Sequence, residues 1–206
     1  MLLSQARSTA ILSYATILEN PQNLPYQFIA SVIRFIATIL AMAQISESEL
    51  KEKLEEQIGE CLGLERAAQK AVEELKSKGL LEGVEDKVEG MWEEATGHEE
   101  KLTNLIEAIK DSSGVESESI EEHAEETVQK ATQMMKTYLG EEPEKIDALE
   151  FLCLAEGGEV THYEVLSKLA GEVKNKKFAN GVRAILTEER KHLQLCTRLA
   201  KQAVTE

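Results

Sequence analysis

The chain has 206 residues, of which 38 are acidic and 23 are basic, so its formal net charge at pH 7 is −15. Such a surface repels nucleic-acid phosphates, so we expect no nucleic-acid partner, and cations are the natural counterpart. Aromatic residues make up only 4% of the chain, and Glu, Lys, Leu and Ala dominate residues 46–206. Because these are good helix formers, the composition predicts an all-α soluble protein and argues against a β-sandwich, a disulfide-stapled domain and a disordered chain.

The cysteine pattern argues against several small metal and redox motifs. Cys61, Cys153 and Cys196 are widely spaced, and the chain contains no Cys-x-x-Cys pair. This excludes a zinc ribbon, a rubredoxin-type iron site and a thioredoxin motif. Each cysteine lies in a helical pattern, which favours a small buried thiol. Free thiols fit a reducing compartment, so we expect a cytoplasmic protein.

The first 46 residues differ in composition from the rest of the chain. They carry only two arginines and one glutamate, a net charge of +1, so the remainder carries −16. Pro21 and Pro25 lie between two apolar stretches at about residues 2–19 and 26–45. We therefore predict an apolar N-terminal helical hairpin over residues 1–46.

The apolar hairpin needs a surface that covers it. Arg34 lies in the middle of residues 26–45, and a central charge disfavours a membrane span. Membrane contact is therefore the less favoured alternative. A helix that is apolar all round is buried, so we expect a homo-oligomer that forms through residues 26–45.

A second domain is predicted over residues 47–206, with helix signals at regular intervals. Ser46 and Glu49 have the spacing of a capping box, and Gly79, Gly140 and Gly171 each follow a helical pattern. The predicted helices span about residues 46–78, 84–110, 117–139, 144–170 and 175–203.

Four of these helices carry polar residues on or beside the apolar stripe that should face the core. The stripes follow steps of three and four residues, and the interruptions lie near the middle of each helix. They are Glu65 on the first helix, Glu94 and His98 on the second, Glu156, Glu159 and His162 on the fourth, and Glu189 and His192 on the fifth.

This pattern predicts a metal site, because an isolated buried carboxylate is normally paired, metal-bound or protonated. Glu159-x-x-His162 and Glu189-x-x-His192 both have a spacing that directs two ligands to one side of a helix. Four carboxylates with two histidines suit two divalent cations, and such ligands are compatible with iron or manganese without excluding zinc. Chance remains an alternative for any single motif in so acidic a chain, but the fourfold coincidence favours a dinuclear site in a four-helix bundle.

The layout resembles the ferritin-like superfamily, whose bundle helices carry Glu, then Glu-x-x-His, then, after a long crossover, Glu and again Glu-x-x-His. The likeness covers about residues 48–204 and is greatest to the small stress-induced bacterial ferritin-like proteins. In those, the third bundle helix often reads Glu-His-Tyr-Glu, which is similar to Thr161-His162-Tyr163-Glu164. Their last helix has paired glutamates before a Leu-Ala end, as at Glu188-Glu189 and Leu199-Ala200.

The resemblance implies a ferritin-like four-helix bundle with residues 111–143 as the crossover. It also implies two iron or manganese ions, each bound by one of His98 and His192, and an oxidoreductase or ferroxidase that reacts with O2 or peroxide. The spacing from Glu94 to His98 is one residue longer than in the family, and Thr161 replaces a carboxylate. The alternative is a non-catalytic scaffold of the same fold without metals, so enzymatic activity stays open.

Overall fold

The structure is a computed structural model, and it describes residues 45–205. The predicted hairpin of residues 1–46 and the predicted oligomer contact at residues 26–45 lie outside the described residues, apart from the last two positions of the hairpin, and stay predictions. Between residues 45 and 205, no helix combines the length and apolar character that crossing a bilayer requires.

Residues 45–205 are all-helical, as the composition predicts, and form five helices in chain order. These are α1 (Glu47–Ser77), α2 (Glu85–Ser113), α3 (Ser117–Leu139), α4 (Lys145–Glu172) and α5 (Lys176–Ala203). The bounds follow the predicted ones closely. The largest difference is at α2, which continues to Ser113 because the residue in the left-handed region is Gly114, with φ 69°.

Local hydrogen bonds explain where two of these helices begin and end. The Gly114 N–H donates to the carbonyl of Lys110 over 3.0 Å and closes α2. The Asn175 side chain accepts from the Phe178 N–H over 3.1 Å, which caps the start of α5. The same side chain donates to the Ala108 carbonyl over 2.8 Å, so it also joins the start of α5 to the last turns of α2.

Four of the helices form a bundle in which α1 packs against α2 and α4, and α5 packs against the same two helices. One apolar cluster joins the N-terminal half of α1 to the C-terminal half of α2, and the C-terminal half of α4 to the N-terminal half of α5. A second cluster joins the opposite halves. Each packed pair is therefore antiparallel, and α2 and α4 run in the same direction.

Helix α3 carries the chain back along the bundle between α2 and α4. Its Ile120 and Ala124 belong to the first apolar cluster, and Met135 and Leu139 belong to the second. It therefore runs the length of the bundle, and it packs mainly on α1.

Glycines on α1 allow this close packing of α3. A Cβ added at Gly59 would lie 2.5 Å from the Ile120 carbonyl oxygen, and one added at Gly63 would lie 2.6 Å from that of Ala124. Gly63 therefore permits a close helix approach, and it does so against α3. By contrast, no other described atom lies within 4 Å of a Cβ added at Gly97, Gly157 or Gly158.

Candidate metal centre

A buried polar layer lies between the two apolar clusters of the bundle. On α1, Glu65 follows Cys61 and Leu62 of the first cluster and precedes Ala71 and Val72 of the second. The other three bundle helices also carry polar side chains between the two clusters, and on α2 and α4 the second cluster comes first along the chain. The layer contains Glu65, His98, Glu156, Glu159, Glu189 and His192, all of which are at most 5% exposed. The burial predicted from the interrupted stripes is therefore confirmed for these six residues.

Glu189 of α5 lies at the centre of this layer, between two histidines. Its Oε1 contacts Nδ1 of His98 on α2, and its Oε2 lies 3.3 Å from Nδ1 of His192, one turn further along α5. The two imidazole rings are stacked, with centroids 5.7 Å apart and planes inclined by 25°. One carboxylate thus presents a separate oxygen to each of two inward-facing imidazole nitrogens.

A second carboxylate completes a triad on each side of Glu189. On the first side, Glu65 Oε1 lies 3.5 Å from His98 Nδ1, and on the second, Glu156 Oε2 lies 3.7 Å from His192 Nδ1. Within each triad, one possible ligand atom from every residue lies within 4.8 Å of the others. The two triads share only Glu189, so the arrangement has the form of two adjacent three-ligand sites with one bridging carboxylate.

Carboxylates outside the triads hold the outer nitrogen of each histidine. His98 Nε2 lies 2.7 Å from Glu188 Oε2, and His192 Nε2 lies 2.7 Å from Glu94 Oε2. Lys101 Nζ donates to the same oxygen of Glu188 over 2.9 Å. When Nε2 carries the proton and donates it outward, the lone pair of Nδ1 faces the layer. Metal-binding histidines are commonly oriented in this way by a hydrogen bond from the ring nitrogen that does not bind the metal.

Tyr163 of α4 orients the carboxylate of α1. Its hydroxyl donates to Glu65 Oε1 over 2.7 Å, and its side chain is fully buried. This contact leaves Glu65 Oε2 without a hydrogen-bond partner.

Several inward-facing atoms of the layer lack hydrogen bonds. Among the described residues, six buried side-chain nitrogen or oxygen atoms have none, and five of them belong to this layer. The five are Glu65 Oε2, His98 Nδ1, Glu156 Oε2, and Glu189 Oε1 and Oε2. Buried polar atoms are nearly always satisfied, so a convergent set of unsatisfied oxygen and imidazole atoms fits a group that supplies positive charge, such as a divalent cation.

The protonation equilibria of the layer depend on burial and on mutual contacts. Burial raises the pKa of Glu65 to about 7 and that of Glu156 to about 8, and it also raises the pKa of Glu159 well above its ordinary value. Burial would also raise the pKa of Glu189, but the contacts with His192 and His98 outweigh it and lower that pKa.

The two histidines show the complementary shift. Burial by itself would lower both pKa values, but the neighbouring carboxylates, Glu189 first, raise that of His98 to about 10 and that of His192 to about 9. Without metal, these shifts favour the charged forms of Glu189, His98 and His192, and they favour the neutral forms of Glu65, Glu156 and Glu159.

Three predicted ligands, Glu94, His162 and Glu159, lie outside the triads. Glu94 reaches the outer nitrogen of His192, and its side chain is 59% exposed. The position three residues before His98, where a Glu-x-x-His motif would place its carboxylate, is the buried Ala95. His162 turns toward α1, where its Nδ1 lies 2.8 Å from Gln57 Nε2 and 3.1 Å from Glu60 Oε2.

Glu159 and Glu188 lie beside the two triads without belonging to either. Glu159 is buried beside the layer, and Glu65, Glu156 and Glu189 all act on its pKa, although it belongs to neither triad. Glu188, the first of the paired glutamates on the last helix, has no role predicted from the sequence. Its place beside His98 depends on the packing of α2 against α5, which no spacing along one helix encodes.

Comparison with protein-family models, curated proteins and solved structures found no match to this chain.

Proposed function

We propose that this chain is a dinuclear metal-binding protein of the ferritin-like kind, with Glu65 and His98 at one metal, Glu156 and His192 at the other, and Glu189 bridging the two. The observation that carries the proposal is the position of Glu189, which offers one oxygen to each histidine. The unsatisfied inward-facing atoms support it further. The order of helix directions, with α3 returning the chain between α2 and α4, also agrees with a ferritin-like bundle.

Iron or manganese is the metal in this proposal, because the donors are carboxylate and imidazole without thiolate. Iron ions bound there would supply one-electron chemistry with O2 or peroxide, as an oxidoreductase or ferroxidase requires. The residues of the chain would bind and orient the ions. Glu94 and Glu188 would fix the histidine rings, and Tyr163 would hold one oxygen of Glu65.

A metal-free scaffold is the second candidate, and one observation favours it. Glu189 lies in contact with both His98 and His192, so the layer can compensate part of its own charge without a cation. In this case the fold would serve as an interaction protein, and the five unsatisfied atoms would be a cost that the apolar clusters offset.

Metal analysis separates the two candidates. Full-length protein is purified without chelator, incubated anaerobically with Fe(II) or with Mn(II), desalted and analysed by inductively coupled plasma mass spectrometry. The first candidate predicts about two ions per chain, as in di-iron bundles, and exposure to O2 should then oxidise bound Fe(II). Less than one ion per chain under both conditions would favour the scaffold.

A further inference from the structure

An apolar cavity lies between α1, α3 and α4 and extends to the edge of the buried polar layer. Its volume is about 190 Å³. Most of the lining side chains are apolar, among them Ala67 and Ala71 of α1, Met135 of α3 and Phe151 of α4, and Gly158 lines the cavity beside them. The polar lining residues are Lys70, Glu74, Thr132 and Glu159. We refer to it as the α1–α3–α4 cavity.

Glu159 connects this cavity to the polar layer. It is 2% exposed and lines the cavity, and it lies one helical turn beyond the buried Glu156 on α4. A molecule in the cavity would therefore lie one side chain away from the proposed metals.

Two exposed apolar side chains lie at the rim of the cavity, where the exposed Lys70 also lines it. Met134 is 41% exposed and Leu154 is 47% exposed, and both line the cavity. They are two of the few large hydrophobic side chains that are exposed in residues 45–205. Exposed apolar side chains that surround a concave apolar surface are typical of a ligand site.

We infer that the α1–α3–α4 cavity binds a small, uncharged, apolar organic molecule beside the buried polar layer. The volume indicates the size, because an apolar cavity of about 150 Å³ is known to accommodate benzene. The apolar walls would impose a desolvation penalty on a charged ligand. This inference deepens the proposed function and rests on it for one point only, namely that the bound molecule would be a substrate of the metal site.

Binding can be tested without metal, so its failure is distinct from failure of the proposed function. Fluorobenzene is titrated into the chelator-treated full-length protein, and its 19F linewidth is followed by NMR. We expect saturable broadening in the wild-type protein and loss of it in Gly158→Leu. No other described atom lies within 4 Å of a Cβ at this position, so the leucine can enter the cavity without a clash at its first atom.

Gly157→Leu is the matched control, because Gly157 is the adjacent helical residue, has the same free space around its Cβ, and does not line the cavity. It should bind fluorobenzene like the wild type. Ala67→Leu, a change in the opposite wall, is a second blocking variant in case Gly158→Leu folds poorly by circular dichroism. Absence of saturable broadening in the wild type, or equal broadening in both blocking variants, would overturn the inference.

The position beside the proposed metals is tested with a paramagnetic ion. Protein loaded with Mn(II) should broaden the fluorobenzene resonance well beyond protein loaded with Zn(II), because Glu159 separates the cavity from the layer by one side chain. Equal linewidths with both ions bound would show that the cavity is remote from the metals and would overturn the substrate role. If Mn(II) fails to bind here and Fe(II) fails to bind in the loading experiment, the proposed function fails, while the metal-free titration still decides whether the cavity binds the probe.

Discussion

The rings of His98 and His192 are stacked with centroids 5.7 Å apart, although the residues come from different helices. Both turn Nδ1 toward Glu189 and Nε2 toward a carboxylate outside the triads. The two histidines therefore have matching environments, one for each proposed metal. This pairing makes the contribution of each surrounding carboxylate testable by itself.

Glu189→Ala should abolish binding of both metals while helix content stays nearly unchanged. Glu189 is the only residue that the two triads share, so its loss removes a ligand from both ions. Metal per chain is measured after loading with Mn(II), and helix content by circular dichroism. Lys191→Ala is the control, since Lys191 is exposed on the same helix. Retention of two ions by Glu189→Ala would remove this residue from the site.

Glu188→Gln and Glu94→Gln should each weaken metal binding without abolishing it. Loss of a carboxylate that orients a metal-binding histidine typically costs about 10- to 100-fold in affinity. The Glu188 side chain is 34% exposed and that of Glu94 is 59% exposed. Because solvent screens the contact of Glu188 less, we expect Glu188→Gln to lose more metal affinity than Glu94→Gln. Competition with a fluorescent chelator measures the affinities. Glu93→Gln, an exposed neighbour of Glu94, should match the wild type, and a Glu94→Gln variant with the same affinity would show that this contact does not orient the ring.

Metal-free protein should lose stability as the pH rises from about 5 to 10. The folded-state pKa values of Glu65 and Glu156 are raised to about 7 and about 8, so the stability from these protonated carboxyls is present below their ordinary pKa and is lost as the pH passes 7 and 8. His98 and His192, with pKa values raised to about 10 and about 9, have the same sign over the upper part of this range. Glu189 has a lowered pKa, so its contribution is lost only in acid.

The measurement is urea unfolding in the presence of chelator at about pH 6 and pH 9, where we expect a difference on the order of a few kcal/mol. Glu156→Gln, which cannot ionise, should show a smaller difference. A wild-type unfolding midpoint that does not change between these pH values would mean that the layer is hydrated.

Metal affinity should rise with pH over the same range, because bound ligands must be deprotonated. Ions that enter the layer displace protons from Glu65, Glu156, His98 and His192, whose pKa values are all raised. Calorimetry at pH 7 in two buffers of different ionisation enthalpy gives the number of protons released per ion. Identical heats in both buffers, together with an affinity that is constant between about pH 6 and pH 8, would contradict the prediction.

Gly59→Ala should destabilise the fold, since the added Cβ would lie 2.5 Å from a backbone oxygen of α3. Overpacking of this kind typically costs about 1–3 kcal/mol. Gly90→Ala is the matched control on α2, where no other described atom lies within 4 Å of the new Cβ. Helix propensity then favours alanine by up to about 1 kcal/mol. Thermal unfolding measures both variants, and equal stability of Gly59→Ala and the wild type would show that α3 can move away.

Position along each helix was enough to predict most of the buried layer. Glu65, His98 and Glu189 interrupt apolar stripes. Because residues spaced at the helical period lie on one face, a polar residue within such a stripe is buried together with its apolar neighbours. The helix bounds followed for a similar reason, since glycines and capping residues act on the backbone within a few positions of themselves.

What the sequence left open depends on how helices face one another. Glu94 and His98 were both predicted as ligands because they lie one turn apart on the same side of a helix, whereas the packing of α2 against α5 places Glu94 on the outer nitrogen of His192. His162 has the Glu-x-x-His spacing, but its side chain extends from α4 toward α1, where it contacts Gln57 and Glu60. The role of Glu188 and the α1–α3–α4 cavity arise in the same way, from contacts between helices. Spacing along one helix determines which residues share a face, and only the tertiary structure decides what that face meets.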